Sequence, residues 1–148
     1  MREGHEGWGK GQGAEFAPSV AEPGSGGRIE SYEDLRVWNE GVSLVEVVYL
    51  LTTDFPESER LGLTNQLRRA AVSIPSNIAE GWGRGSKPDY LRFLRIARGS
   101  LYEVKTQLVI AQRLGFGQRQ SVDNAITASE ALRRQLQALI VAVERSSG

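Results

Sequence analysis

The feature that most constrains this chain is a helical apolar rhythm that begins near Ser31 and runs to the C-terminus with three interruptions. Apolar residues spaced three and four apart share one side of a helix. The interruptions are Phe55-Pro56, the run Gly81-Trp82-Gly83-Arg84-Gly85, and Gly115, all sequences that stop helices. Four helices of roughly 24 to 28 residues follow, each about 35 to 40 Å long. Joined by short loops, they predict an all-α, antiparallel up-down-up-down four-helix bundle.

Helix one opens at Ser31, with Asp34 three residues later in a capping-box arrangement. It carries two apolar stripes. Leu35, Trp38, Val42, Val45, Tyr49 and Thr52 form the first, and Val37, Gly41, Leu44, Val48 and Leu51 the second. One stripe serves a bundle core, so a second side is left over for another subunit, and Val37, Gly41, Leu44, Val48 and Leu51 are the candidate oligomer interface. Helix two starts near Ser58 and holds its period across Pro75, which predicts a second helix kinked at the proline. A break there, with Ser73 capping a new helix, is the alternative. Ser86 caps helix three, with Pro88 in its first turn and Asp89 at the capping-box position. Tyr90, Leu94, Ala97, Leu101, Val104, Leu108 and Ala111 are its seam. Helix four spans roughly 118–145, with Val122, Ala125, Ser129, Leu132, Leu136, Leu139 and Val143 as its seam; Ala128, Ala131, Ala138 and Ala142 beside it would permit close helix approach.

Residues 1–28 read differently. Eight glycines from Gly4 to Gly27 and few large apolar groups predict a disordered N-terminal arm ahead of a bundle domain at 29–148. Trp8 and Phe16 are either sticky points for a partner or plain parts of that arm. The arm has no apolar run of signal-peptide length, and no stretch approaches the roughly 20 apolar residues of a membrane span. A cytoplasmic protein is the expectation, with no membrane partner. No cysteine is present, which excludes disulfides, thiolate chemistry and Cys-based zinc sites. Lys plus Arg and Asp plus Glu both total 18, and a zero net charge argues against a dedicated nucleic-acid binder while leaving room for a local basic patch.

Two stretches carry a resemblance. The first is Tyr32-Glu33-Asp34-Leu35-Arg36-Val37-Trp38 with Gln66-Leu67-Arg68-Arg69-Ala70-Ala71-Val72-Ser73-Ile74-Pro75-Ser76-Asn77-Ile78-Ala79-Glu80-Gly81; the second is Tyr90-Leu91-Arg92-Phe93-Leu94-Arg95-Ile96-Ala97-Arg98-Gly99-Ser100-Leu101, followed by Thr106-Gln107-Leu108. Over about 32–116 the chain resembles the bacterial "four helix bundle protein" family, also called the 23S rRNA intervening-sequence protein family. The resemblance implies a four-helix bundle assembled as a homopentamer. It also implies a link to nucleic acid, because the founding genes lie within insertions of large-subunit ribosomal RNA genes. A related bundle partners a reverse transcriptase and RNA. The resemblance implies no enzyme activity and supplies no binding residues.

The residues themselves offer three candidate sites. Arg68, Arg69, Arg84, Lys87, Arg92, Arg95 and Arg98 are the nucleic-acid candidates, because a phosphate backbone needs spaced cations and the arginine fork can hold two phosphate oxygens. Trp82 and Tyr90 would offer stacking faces. The alternative is a solvated face paired with Glu57, Glu59, Glu80 and Glu103, or ion pairs between subunits. The glycine run at Gly81–Gly85 could hold an anion at the next helix start, though a plain turn is the simpler reading. Ser73, Asn77, Glu80, Ser100, Glu103 and Gln107 fall on or beside core seams and predict a structural polar layer between helices two and three. Its catalytic version would be a Glu80–Glu103 carboxylate pair. A di-iron bundle needs Glu-x-x-His repeats, and the single histidine, His5, lies in the arm. No catalytic residue, metal, cofactor or small-molecule substrate is therefore expected. The expected function is a non-enzymatic homo-oligomer that scaffolds RNA or a nucleic-acid-processing protein; the alternative is a purely structural or protein-binding assembly.

Overall fold

The computed structural model describes Phe16, residues 22–24 and residues 26–147. Four α-helices account for the bundle: α1 Arg36–Thr52, α2 Leu63–Gly83, α3 Lys87–Leu114 and α4 Arg119–Arg145. No strand occurs among the described residues. Each helix packs on its neighbours in a closed square, α1 on α2 and α4, α3 on α2 and α4. Leu67, Ile74, Leu94, Leu108, Leu136 and Leu139 are fully buried at its centre.

The first two helices are shorter than their periodicity suggests. Ser31 does form a capping box with Asp34, but the box closes a 3-10 turn, Tyr32–Asp34. Leu35 then turns extended and α1 begins at Arg36. After α1, Phe55 and Pro56 stop the chain as expected. A second 3-10 turn at Glu57–Glu59 takes up the residues expected to open helix two, which begins instead at Leu63. The Glu59 carboxylate accepts from the Leu63 N–H at 3.0 Å and supplies the missing cap. Through Pro75 α2 runs unbroken, and Ser73 caps nothing. The stop at Gly115, in left-handed geometry with φ 74°, and the start at Ser86, which accepts from the Asp89 N–H, are where they were expected.

On α1 the two stripes exchange roles. Val37, Gly41, Leu44, Val48 and Leu51 are buried within the chain's own core and have no surface to offer a second subunit. They face the bundle axis because Gly41 lies against Ile74 and Pro75 of α2. The first stripe is the leftover one. Leu35 and Thr52 are buried at its ends, but Trp38, Val42 and Val45 are only half-buried and Tyr49 is 44% exposed. On α4, Ala128 and Ala138 are exposed and Ala131 and Ala142 half-buried, whereas the predicted seam is buried throughout.

Most of the residues assigned to a disordered arm, Trp8 among them, lie outside those described. Two of those that are described, Glu22 and Phe16, engage the bundle. Glu22 caps α1, with Arg36 N–H donating to one carboxylate oxygen at 2.9 Å and Val37 N–H to the other at 3.0 Å. Phe16 lies against Tyr90, ring centroids 5.7 Å apart. Ile29, the first residue of the expected bundle domain, is buried in the core.

Candidate functional site

The predicted polar layer is half real. Ser73 on α2 and Ser100 on α3 share a hydrogen bond of 2.8 Å, and Asn77 donates to the Ser73 hydroxyl at 2.9 Å and to its carbonyl at 2.8 Å. Two turns on, Gln107 reaches Gln66 by a long contact of 3.5 Å, and its own side-chain carbonyl is buried with no hydrogen-bond partner among the described residues. Beside them a cleft of about 350 Å³ opens between α2 and α3, lined by Asn65, Gln66, Arg69, Ala70, Ser73, Glu103 and Gln107.

Glu80 and Glu103 do not meet. In the antiparallel α2–α3 pair, with Ser73 opposite Ser100, Glu80 lies two turns toward one end and Glu103 one turn toward the other. Their levels differ by about 15 Å at 1.5 Å per residue. Glu80 instead pairs with Arg84 at 2.8 Å, and Glu103 sits on the rim of the cleft. Among the described residues no group of three potential metal-ligating side chains converges. His5 lies outside them.

The seven cations do not form one patch. Arg68 turns back to α1, where it donates to the Thr52 hydroxyl at 2.8 Å and to the Tyr49 carbonyl and lies over the Tyr49 ring. Lys87 donates to the carbonyls of Glu144 and Ser146 at the end of α4. Arg95 pairs with Glu144 at 2.7 Å, and Arg98 donates to Gln137. Arg84 and Arg92 both lie over Phe93, their guanidinium carbons 5.0 and 4.4 Å from its centroid, and Arg92 has Asp89 at 3.7 Å. Arg69 alone of the seven has no bonded partner among the described residues, and it faces the cleft. Helix spacing explains the dispersal. Arg95 and Arg98 sit on the α4 side of α3, whereas Arg68 and Arg69 are 100° apart on α2 and point to different neighbours.

Gly81 is where α2 and α3 approach most closely along this stretch. A Cβ on it would stand 2.7 Å from the Phe93 Cβ and 3.3 Å from the Tyr90 carbonyl, so the helices cross where only hydrogen fits. Of the glycine run that follows, Gly83 still belongs to α2 and Gly85 makes the turn with φ 83°. Trp82 packs edge-on to Tyr90 at 6.2 Å. Tyr90 is fully buried; burial first, and the charge of Glu22 second, push its phenol above the ordinary value, and its hydroxyl has no hydrogen-bond partner among the described residues. Phe16 was legible in the sequence only as a sticky point for a partner or a plain part of the arm, and Glu22 was invisible as a site residue. The only signal was an acidic side chain ahead of a helix whose own cap position, Leu35, has no oxygen to offer.

A half-exposed apolar row lies on the outer α1–α2 side. Across the α1–α2 groove, the register set by Thr52 against Arg68 and Gly41 against Pro75 brings Val72 level with Val45. Val72 is 40% exposed and extends the Trp38, Val42, Val45 and Tyr49 stripe onto α2. Among the described residues no helix is long and apolar enough to cross a membrane.

A solved structure from Bacteroides thetaiotaomicron VPI-5482, described as a protein with unknown function from the S23 ribosomal protein family, resembles this chain with a TM-score of 0.63. The two share 20% identity over 70% of this chain and 97% of that one, a likeness of fold. No curated protein is similar enough to match. A family model described as "23S rRNA-intervening sequence protein" matches residues 33–138, from the first 3-10 turn well into α4. That span is more than half of the chain, which therefore belongs to the 23S rRNA-intervening sequence protein family.

Proposed function

We propose that this protein is a non-enzymatic, self-associating helical module whose subunits meet through the outer α1–α2 face. The observation that carries this reading is the half-exposed stripe of Trp38, Val42, Val45 and Tyr49, continued by Val72, which remains after the core has taken the other stripe. Scattered apolar residues on a surface are ordinary, but a contiguous row is not. Water released from such a row drives association in proportion to the area covered. A closed ring, the homopentamer implied by the family resemblance, would cover it on every copy. A cytoplasmic setting suits a cysteine-free chain that relies on packing alone. Light scattering across a dilution series tests the reading. A multi-copy mass that falls to one copy in Val72→Glu, with helical circular dichroism retained, is expected. A single-copy wild type at high concentration overturns it.

A second reading, contact with RNA, takes its support from the family's printed description and from the end of the bundle where Arg84 and Arg92 flank Phe93 beside Trp82. The ion pairs holding these arginines are exposed, and exposed pairs are exchanged for phosphate at little cost. Binding of structured RNA that weakens with salt, and weakens further in Arg84→Ala/Arg92→Ala, supports this reading. No salt-dependent binding at micromolar protein removes it and leaves the assembly role standing alone.

A further inference from the structure

The cleft between α2 and α3 brings two opposite charges to one level without pairing them. Ser73 against Ser100 and Gln66 against Gln107 fix the register of these antiparallel helices. In that register Arg69 on α2 and Glu103 on α3 differ in level by one residue, about 1.5 Å. Both line the same cleft of about 350 Å³. Elsewhere, facing charges on neighbouring helices close onto each other: Arg95 with Glu144 and Lys105 with Glu130 tie α3 to α4. The side chains of Arg69 and Glu103 have no ion pair or hydrogen bond among the described residues. The amides beside them are under-bonded as well. Asn65 has no side-chain hydrogen bond there, Gln66 and Gln107 share only their 3.5 Å contact, and the Gln107 carbonyl is buried without a donor. A buried carbonyl left without a donor opposes stability. Only the long contact to Gln66 fixes the Gln107 amide, so the carbonyl is free to turn toward a donor placed in the cleft.

We propose that this cleft binds a small zwitterion of the α-amino-acid class, with its carboxylate on Arg69 and its ammonium on Glu103. The guanidinium fork takes both oxygens of a carboxylate. The ammonium donates to Glu103 and to the Gln107 carbonyl, and Asn65 and Gln66 remain for a polar side chain. A ligand of one sign serves one wall only. A phosphate drawn to Arg69 meets the like charge of Glu103, and a simple amine drawn to Glu103 meets Arg69. The volume lies in the range of small-molecule sites, about 300–1,000 Å³. The cleft shares no residue with the apolar α1–α2 row or with the Arg84–Phe93–Arg92 end of the bundle, so the site goes beyond both readings above.

The test is calorimetric titration of the full chain with the common amino acids, each taken to about 10 mM. At least one with a polar side chain is expected to bind saturably, one molecule per chain. Its N-acetyl and carboxamide derivatives each lack one of the two charges and should bind at least about tenfold more weakly. Inorganic phosphate should not compete with it. Arg69 and Glu103 are both exposed, so Arg69→Gln and Glu103→Gln should keep the helical circular dichroism of the wild type. Each should weaken binding by about tenfold or more. Saturable binding by no amino acid overturns the proposal. So does equal binding of either derivative, competition by phosphate, or an affinity unchanged in either variant. The oligomer mass is read in a separate experiment, so the self-association reading stands or falls independently of these outcomes.

Discussion

Replacing three glycines by alanine, one at a time, separates helix propensity from helix packing within a single molecule. Alanine is favoured over glycine in a helix interior by about 0.8–1 kcal/mol. Gly99, on the exposed side of α3, has nothing within 4 Å of the position a Cβ would take. The full propensity gain is available there, and Gly99→Ala should stabilise by close to 1 kcal/mol. At Gly41 the new methyl would meet Ile74 and Pro75 at 3.5 Å, ordinary contact distance, so Gly41→Ala should be neutral to mildly stabilising. Gly81 is opposite in sign. Its Cβ would be 2.7 Å from the Phe93 Cβ, an atom fixed to the backbone, and 3.3 Å from the Tyr90 carbonyl. The α2 and α3 backbones must separate there by roughly 1 Å, since carbon atoms settle at about 3.5–4 Å. Overpacking of this kind costs about 1–3 kcal/mol. The propensity gain, reduced near the end of α2, offsets less than 1 kcal/mol, so Gly81→Ala should destabilise by about 1–2 kcal/mol. Urea unfolding followed by circular dichroism at fixed protein concentration measures all three. A Gly81→Ala midpoint at or above wild type, or a Gly99→Ala midpoint below it, would refute the argument.

Three further outcomes are expected. Arg68→Met removes the bonds to Thr52 and Tyr49 and the cation held over the Tyr49 ring, and should lower stability by about 1–2 kcal/mol in the same assay. Ser73→Ala leaves Ser100 and Asn77 each short of a partner in a half-buried setting and should cost about 1 kcal/mol, whereas Ser73→Ala/Ser100→Ala should cost less than the sum of the two single changes. The bond from Lys105, with its charge, holds the Glu130 carboxyl below the ordinary carboxylate range. A group depressed on folding stabilises the protein above its unfolded value and loses that contribution as pH falls through the folded one. The stability difference between wild type and Glu130→Gln should therefore be constant near neutrality and shrink below about pH 4; a difference that grows on acidification would contradict the assignment.

The α2 and α3 parts of the stretches that carry the family resemblance are two halves of one interface. Gln66, Ser73 and Gly81 on α2 meet Gln107, Ser100 and Phe93 on α3 at successive levels. Their residue types make sense only as pairs: serine against serine, amide against amide, and no side chain where the helices cross. The layer of buried polar groups was legible because a serine or asparagine on an apolar seam must find a partner nearby. Which partner it finds was not, because two residues of drift along a helix separate contact from solvent. Glu80 and Glu103 look suitable on each helix alone and end up at different levels of the pair.

The order of elements, the all-α class, the seams of α3 and α4, the start at Ser86 and the stop at Gly115 follow from local chemistry, since periodicity, caps and left-handed glycines act within a few residues of themselves. The choice between the two α1 stripes could not be made that way. Both repeat with the same rhythm, and only the arrival of Pro75 and Ile74 against Gly41 turns Val37, Leu44 and Val48 inward and leaves Trp38, Val42 and Val45 outside. The cap on α1 is equally non-local, supplied by Glu22 across a stretch of glycine-rich chain. A helix records in its own sequence that it has faces to bury; the neighbours it meets decide which face, because burial free energy belongs to the contact and not to either side alone.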